Sequence, residues 1–281
     1  MIKINLNNEF FLYESISNKY VIFVHGMVET MEGYYKIKDF LVENGINVIL
    51  YNNKGHGENA RKLGHLDKYD GYKMVQDVIE INKYIKFTYN SENVIIVGHS
   101  MGTALVRGAM KSVKFDKVVL NGSPSSISAF TSNFLFFIYL FINNKKESKL
   151  FNKLVFSKYN SSVKDPATPN DWVCSNTDYI AKYNQNKYCG IIGTGGFYQE
   201  IIRIMAIAKE KSLNSTKVLI TSGKEDPVTK MGINCNQLYK RLIKQGCECE
   251  IKTYDKMRHF IYDEINCNEC YNDLLKFISG G

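Results

Sequence analysis

Short apolar runs alternate with amphipathic segments along most of this chain. The runs Tyr20–Val24 and Val94–Val97 are continuously apolar, as in strands that are buried on both faces of a sheet. Between such runs, apolar residues recur at helical spacing, for example at Val75, Val78 and Ile79. This alternation of strands and helices predicts an α/β fold, in which helices cover both faces of a mostly parallel sheet.

The same pattern places the remaining elements. It predicts further strands at Ile2–Leu6, Phe10–Tyr13, Val48–Tyr51, Val118–Leu120, Val218–Thr221 and Glu250–Tyr254. It predicts helices at Tyr34–Glu43, from Tyr72 onward, and at Gly102–Lys111, Asn234–Gln245 and Cys267–Ile278. The first two strands are separated by Asn7 and Asn8, which favours a hairpin.

A long interval between two predicted strands breaks the alternation. The segment between Leu120 and Val218 is too long for a single crossover connection. We therefore expect an inserted helical cap at residues 123–212, with the core formed by residues 1–122 and 213–281.

Composition narrows the class of protein. The chain has 281 residues, of which 44% are hydrophobic, enough for a sizeable buried core. The net charge of +8 comes with lysines spread along the chain, so we expect no nucleic-acid partner. An odd count of 7 cysteines argues against a secreted disulfide scaffold. No signal peptide is evident, and no apolar stretch reaches the roughly 20 residues of a spanning helix. We expect a soluble, cytoplasmic protein.

The pentapeptide Gly98-His99-Ser100-Met101-Gly102 lies between a predicted strand and a predicted helix. A nucleophile on a sharp strand-to-helix turn needs small residues two positions to either side, because the backbone there is crowded. Such a turn lifts the Ser100 hydroxyl above the sheet edge. The Met101 amide, at the start of the helix, then points at a developing oxyanion. We therefore take Ser100 as the candidate nucleophile.

A serine nucleophile needs a general base and an acid that orients the base. Catalytic groups sit at the carboxyl ends of parallel strands, in the chain order serine, acid, histidine. His259 follows the last predicted strand and is the candidate base. Asp226 follows the strand Val218–Thr221 and is the candidate acid. Glu225 and Asp255 are rival acids, but Asp255 is more simply read as a solvated loop residue.

A second oxyanion-hole amide is expected in the loop after the first inner strand. The tripeptide His25-Gly26-Met27 follows that strand, so the Met27 amide is the candidate. His25 is also compatible with a structural role as a histidine bonded to the local backbone.

These motifs, in this order, resemble the α/β-hydrolase superfamily and, within it, the lysophospholipase and monoacylglycerol lipase-like serine hydrolases. The resemblance covers nearly the whole chain and rests on the segments His25–Met27, Gly55–Gly57, Gly98–Gly102 and Gly223–Val228 and on the late His259. Where that family commonly has Asp-x-Arg before its Gly-His-Gly, this chain has Asn52-Asn53-Lys54.

The resemblance implies a fold and a reaction. The fold is a mostly parallel eight-stranded sheet with an inserted helical cap. The reaction is hydrolysis of a lipid carboxylic ester, such as a lysophospholipid or monoacylglycerol with a medium to long acyl chain. It would proceed through an acyl-enzyme on Ser100, with no metal and no organic cofactor. Two alternatives stay open: an esterase, thioesterase or peptidase acting on a small soluble substrate, and a non-catalytic lipid-binding module.

The predicted cap begins with an unusually apolar segment. Residues Ile127–Ile142 include the run Phe134–Ile142, and the segment is followed by lysines at positions 145, 146, 149 and 153. One interpretation is a lid that transiently contacts an anionic membrane surface. The other is that these aromatic residues pack the cap onto the core, with the lysines in solvent.

Four cysteines near the C-terminus invite a zinc interpretation. Cys247, Cys249, Cys267 and Cys270 could supply four thiolates. The first pair precedes a predicted buried strand and the second pair begins a predicted helix. The spacing therefore does not imply that the four thiols come together around one metal ion. Buried free cysteines commonly act as small apolar residues, and we expect no metal site.

Overall fold

The computed structural model of the protein describes residues 1–124, 144–208 and 216–280.

One eight-stranded sheet forms the centre of the fold. Its strands are β1 (Ile2–Asn5), β2 (Glu9–Tyr13), β3 (Tyr20–Val24), β4 (Asn47–Leu50), β5 (Val94–His99), β6 (Lys117–Asn121), β7 (Lys217–Gly223) and β8 (Glu248–Tyr254). They are arranged in the order β1-β2-β4-β3-β5-β6-β7-β8. The first two pairings, β1 with β2 and β2 with β4, are antiparallel, and the rest are parallel. The predicted α/β fold class and the N-terminal hairpin are therefore confirmed.

Eight α-helices are described around the sheet. They are α1 (Tyr35–Glu43), α2 (Asp70–Thr88), α3 (Met101–Ala109), α4 (Lys149–Asn160), α5 (Thr177–Gln185), α6 (Gly195–Ile207), α7 (Ile233–Lys244) and α8 (Cys267–Ser279). Short 3₁₀ helices lie at Met31–Tyr34 and Ile261–Asp263. Within the described ranges, no helix is both long and apolar enough to cross a membrane.

The inner strands are apolar on both sides because both faces of the sheet are covered. In β3, Ile22 and Val24 pack into one hydrophobic cluster, while Val21 and Phe23 pack into another on the opposite face. Every residue of β3 is buried. This double burial explains the continuous apolar runs in the sequence, since a strand with one solvated face would alternate.

The edge strand β8 corrects one expectation. We expected Cys249 to begin a buried strand, but among the described strands β8 pairs only with β7, and only its last residue, Tyr254, is buried. The strand also begins earlier, at Glu248.

Helices α4, α5 and α6 all belong to the connection between β6 and β7. The predicted start of the cap, at residue 123, lies just before the range 125–143, and its predicted end, at residue 212, lies within the range 209–215; both ranges are outside the described residues. The division of the chain into core and cap therefore stays a prediction. The apolar run Phe134–Ile142, proposed as a lid, also lies outside the described residues.

Candidate active site

Ser100 occupies a strained turn between β5 and α3. Its backbone has φ of 50° and ψ of −117°, a conformation that residues other than glycine rarely adopt. A Cβ on Gly98 would lie 2.8 Å from the backbone of Gly102, and a Cβ on Gly102 would collide with the carbonyl oxygen of Val24. The turn therefore requires glycine at both positions. The Ser100 N–H donates to the carbonyl of Asn121 at 2.9 Å, which holds the turn against β6.

Asp226 and His259 form a buried hydrogen-bonded pair. Asp226 follows β7 and is fully buried. Its Oδ1 accepts from the Val228 N–H at 2.8 Å, and its Oδ2 accepts from His259 Nδ1–H at 3.0 Å. With its proton on Nδ1, His259 keeps a lone pair on Nε2, which is what a general base requires. The rival acids Glu225 and Asp255 are both exposed.

Ser100 and His259 line the same cavity, which has a volume of about 420 Å³. Packing brings their surroundings together. The ring of His99, which precedes the serine, lies 4.5 Å from the ring of His259. A Cβ on Gly122 would lie 2.9 Å from His259 Cε1. The structure thus brings Ser100, His259 and Asp226 to one edge of the sheet.

Met27 and Met101 line the same cavity. Met101 is the first residue of α3, where amides have no intrahelical partner and the helix dipole is positive. Met27 lies in the turn after β3. There the carbonyl of Gly26 accepts from His25 Nδ1–H at 2.7 Å, while the Asn53 N–H donates to His25 Nε2 at 2.9 Å. His25 is thus held by backbone groups, as its structural interpretation predicted, and burial lowers its pKa well below the ordinary value.

The cavity wall is largely apolar and comes mostly from the connection between β6 and β7. Residues of that connection on the wall include Phe151, Leu154, Phe156, Trp172, Ile202 and Met205. Among the described residues of the wall, none is a lysine, an arginine or an aspartate, and Glu29 is the one carboxylic acid. Such a wall suits an apolar chain and offers no cationic partner to an anionic group.

The sequence analysis missed Glu29. Its side chain is 6% exposed. Its Oε1 accepts from the N–H of Gly26 and from the hydroxyl of Tyr34, the latter at 2.8 Å. Burial raises the pKa of Glu29 to about 7, against the opposing effects of the Gly26 amide, Tyr34 and His259. The only signal in the sequence was an acidic residue two positions after Met27, in the same turn.

The C-terminal cysteines are separate from this cavity. Cys267 and Cys270 are free thiols that are buried on α8. Within the described part of the chain, no group of three His, Cys, Asp or Glu side chains is arranged to hold a metal ion.

Comparison with solved structures shows the same fold across nearly the whole chain. A carboxyl esterase from Bacillus coagulans is 20% identical, with 99% of this chain and 97% of that chain covered and a TM-score of 0.87. A monoacylglycerol lipase from Paleococcus ferrophilus is 18% identical, with 99% and 98% covered and a TM-score of 0.68. A soluble variant of monoglyceride lipase from Saccharomyces cerevisiae is 17% identical, with 99% and 94% covered and a TM-score of 0.71.

Sequence comparison identifies the family. No curated protein sequence matches the chain. The family model Hydrolase_4, described as serine aminopeptidase, S33, matches residues 16–266. Because this match spans most of the sequence and the fold agrees with it, the chain belongs to the Hydrolase_4 family (serine aminopeptidase, S33) of α/β-hydrolases.

Proposed function

We propose that this protein is a serine hydrolase that cleaves carboxylic esters of lipids, of the monoacylglycerol or lysophospholipid type. The observation that supports the proposal is that Ser100 and His259, which is hydrogen-bonded to Asp226, line one largely apolar cavity. A nucleophile, a base and an orienting acid in this order are the parts that acyl transfer needs.

The first half of the reaction forms an acyl-enzyme. Ser100 Oγ attacks the ester carbonyl carbon while His259 Nε2 takes the hydroxyl proton. The amides of Met27 and Met101 donate to the carbonyl oxygen as it becomes negative. When the tetrahedral intermediate collapses, the ester C–O bond breaks and His259 returns the proton to the leaving alcohol.

The second half releases the acid. His259 takes a proton from water, and the resulting hydroxide attacks the acyl carbon on Ser100. The intermediate collapses, the bond to Ser100 breaks, and the serine regains its proton from His259. Asp226 keeps the imidazole in the productive tautomer throughout and stabilises its cation. Apart from the ester and one water molecule, these steps use only groups of this chain.

The cavity favours an acyl chain and an uncharged leaving group. Its volume of about 420 Å³ falls in the range of roughly 300–1,000 Å³ that small-molecule sites occupy. Placing an anionic headgroup against the described part of the wall, which has no lysine or arginine, leaves a desolvated charge unpaired, which is unfavourable. Among the proposed substrates, this favours monoacylglycerols over anionic lysophospholipids.

Amide hydrolysis is the second candidate, because the matching family is described as a serine aminopeptidase. An aminopeptidase must bind the free amino group of its substrate, and a carboxylate is the usual partner for that cation. The one carboxyl group on the described cavity wall, that of Glu29, is already bonded to Gly26 and Tyr34. This arrangement supports the ester over the peptide.

Fluorophosphonate labelling combined with a substrate panel tests the proposal. We expect the wild-type protein to be labelled and Ser100→Ala to be unlabelled, with hydrolysis reduced by roughly 10⁶-fold, as for other nucleophile deletions. In the panel, medium- and long-chain monoacylglycerols should react faster than short esters, anionic lysophospholipids and aminoacyl amides.

Two outcomes would contradict the proposal. Folded wild-type protein that resists the fluorophosphonate would point to a non-catalytic lipid-binding module. A preference for aminoacyl amides over every ester would instead support the peptidase.

A further inference from the structure

Glu29 is a buried acid at the active site with no role in the steps described above. It lies in the turn that follows β3, two residues after Met27. Its Oε1 accepts from the Gly26 N–H and the Tyr34 hydroxyl. Its Oε2 lies 3.8 Å from Nε2 of His99. A buried carboxyl group needs such partners, because without them its desolvation is costly.

Both the N–H and the carbonyl group of Gly26 form hydrogen bonds with side chains. The N–H donates to Glu29 and the carbonyl accepts from His25. The far end of the turn is held as well, since the Val28 carbonyl accepts from the Tyr183 hydroxyl at 2.9 Å. Val28 has a φ of 56°, so the turn is strained and keeps its shape only through such contacts. Met27 lies between these fixed points.

Glu29 lies beside the turn and close to the reacting serine. A Cβ on Gly26 would lie 2.8 Å from Glu29 Oε1 and 2.9 Å from the Cβ of Ser100. The carboxyl group and the serine are therefore both close to the space that the missing side chain of Gly26 leaves open. Because Oε1 already accepts from the Gly26 N–H and the Tyr34 hydroxyl, this position suits an orienting group.

We propose that Glu29 is a positioning residue, whose carboxyl group holds the His25–Val28 turn against Ser100 so that the Met27 amide stays in the oxyanion hole. The inference rests on the proposed serine hydrolase function. It explains why a carboxylic acid is present on a largely apolar wall.

The surroundings of Glu29 shift its ionisation equilibrium towards the protonated form, which is the main form below a pH of about 7. The ionisable groups that face it are Tyr34, His99, His259, Tyr179, Tyr183, Cys189 and Tyr262. The tyrosines have raised pKa values, burial raises the pKa of Cys189 to about 12, and burial lowers the pKa of His99. None of these shifted groups supplies a compensating cation, and burial raises the pKa of Glu29 itself to about 7.

The protonated acid fits its contacts. Oε1 accepts both hydrogen bonds, and Oε2, which faces the lone pair of His99 Nε2, carries the proton. His99 Nε2 is unprotonated because Nδ1–H donates to Asn121 Oδ1 at 2.6 Å. Ionisation places a negative charge on the group that accepts from the Gly26 N–H, and the next amide in the chain, that of Met27, is the one proposed to receive the oxyanion. We therefore expect turnover to fall as Glu29 ionises.

Kinetics of Glu29 variants with a soluble ester test the inference. Glu29→Ala removes the acceptor for Gly26, and we expect kcat to fall roughly 10- to 100-fold, as for other small misplacements of catalytic groups. The KM should change by less than about threefold, since the Met27 amide acts mainly on the transition state. Glu29→Gln keeps an acceptor of the same length and should recover most of the lost kcat. Tyr34→Phe, which removes only the second donor to Oε1, should cost much less than Glu29→Ala.

The pH dependence separates positioning from simple structural support. The ratio of wild-type to Glu29→Gln kcat/KM cancels every titrating group that the two proteins share. We expect this ratio to fall as the pH rises through about 7, the pKa of Glu29. A ratio independent of pH would overturn the protonation-dependent role.

Other results overturn the positioning role directly. Wild-type kcat in Glu29→Ala, or an equal loss in Glu29→Gln and Glu29→Ala, would do so while leaving the serine hydrolase function intact. If Glu29→Ala fails to fold, Glu29→Asp replaces it as the test, because its side chain is one methylene too short to reach the Gly26 N–H. A wild-type kcat in Glu29→Asp would contradict the positioning role. A wild-type protein that neither labels nor hydrolyses esters would overturn both proposals together.

Discussion

Asp226 has a different donor on each carboxylate oxygen. One oxygen accepts from the Val228 N–H and the other accepts from His259 Nδ1–H. Because the side chain is fully buried, water does not replace either partner. The position therefore requires two acceptors on one short side chain, a condition that a carboxylate meets and an amide does not.

Asp226→Asn tests this requirement with almost no change in shape. The amide has one oxygen, so its NH₂ group must face either Val228 or His259. Facing His259, it forces the proton onto Nε2, and the imidazole can no longer accept the proton of Ser100. We expect kcat to fall about 10³- to 10⁴-fold with a soluble ester, as for a wrong-tautomer histidine in this type of triad.

Asp255→Asn is the matched control, because Asp255 was a rival acid and is exposed on the loop before His259. It should keep wild-type turnover. If Asp226→Asn stayed within tenfold of wild type while Asp255→Asn lost activity, the acid would have been assigned to the wrong residue.

The sequence allowed some of the active-site residues to be predicted and not others. Ser100, Asp226 and His259 each follow a strand, and parallel strands end at one edge of a sheet, so their proximity could be predicted. Their catalytic roles stay predictions. Glu29 had no such guide, because its partners depend on the strained shape of the turn at Val28 and on Tyr34 in the next helix. A lone acidic residue in a loop is otherwise read as solvated.

Among the helices, α4 presents an apolar strip to solvent. Leu150 and Leu154, four residues apart, lie on one face of the helix and are 62% and 60% exposed. Lys149 and Lys153 are their exposed neighbours. Leu154 also lines the cavity that holds Ser100, so the strip borders the substrate site. We propose that this strip contacts an anionic lipid surface, as apolar residues flanked by lysines do at membrane interfaces.

Leu150→Glu tests the strip without altering the cavity wall. The change removes an apolar side chain worth roughly 1.5–3 kcal/mol when buried and adds a charge that anionic lipids repel. We expect binding to anionic phospholipid vesicles, measured by co-sedimentation, to weaken by at least about tenfold. Turnover of a short soluble ester should stay within about twofold of wild type.

Phe87→Glu is the control for that experiment. Phe87 is 91% exposed near the end of α2, which leads to the opposite edge of the sheet from Ser100. It should bind vesicles like wild type. Equal vesicle binding by wild type and Leu150→Glu, or equal loss in both variants, would remove the proposal for α4.

The ends of strands and helices depend on their hydrogen-bonding partners, which the spacing of apolar residues in the sequence does not reveal. The predicted strand Val218–Thr221 extends to Gly223 in β7, because Gly223 pairs with Tyr254 of β8. Between β6 and β7, individual helices could not be assigned from apolar spacing alone. The first residues of these helices could have been predicted from their N-caps. Ser148, Asn176 and Thr194 are typical N-cap residues, and their side chains accept hydrogen bonds from the first turns of α4, α5 and α6, respectively.

For the whole molecule, the class of fold was predictable and the strand order was not. Continuous apolar runs such as Tyr20–Val24 indicated a sheet covered on both faces, and two hydrophobic clusters cover it. The order β1-β2-β4-β3 requires the chain to cross between non-adjacent strands, and no local pattern specifies which strands become neighbours. The family resemblance implied eight mostly parallel strands and gave no strand order.

A buried acid joins three separate parts of the molecule. Asp77 on α2 accepts from Asn8 Nδ2 at 3.3 Å, and the same amide donates to the Asn52 carbonyl at 3.1 Å. The β1–β2 turn, the loop after β4 and α2 therefore meet at this point. Lys54 stands where the family commonly has arginine. It lowers the pKa of Asp77, but burial outweighs it and raises that pKa from 3.8 to about 6.

Asp77→Asn should therefore stabilise the protein at neutral and alkaline pH. A raised pKa means that the folded state holds its proton more tightly than the unfolded chain, so stability falls as the pH rises from about 4 to about 6 and stays low above that. The shift corresponds to a penalty of up to about 3 kcal/mol at 1.36 kcal/mol per pKa unit. Urea denaturation should show a higher free energy of unfolding for Asp77→Asn than for wild type near pH 8, with a gap that narrows towards pH 4.5. The exposed Asp116→Asn should show no such pH-dependent gain. A variant less stable than wild type near pH 8 would mean that the ionised Asp77 carboxylate supports the fold through its contact with Asn8 and the charge of Lys54.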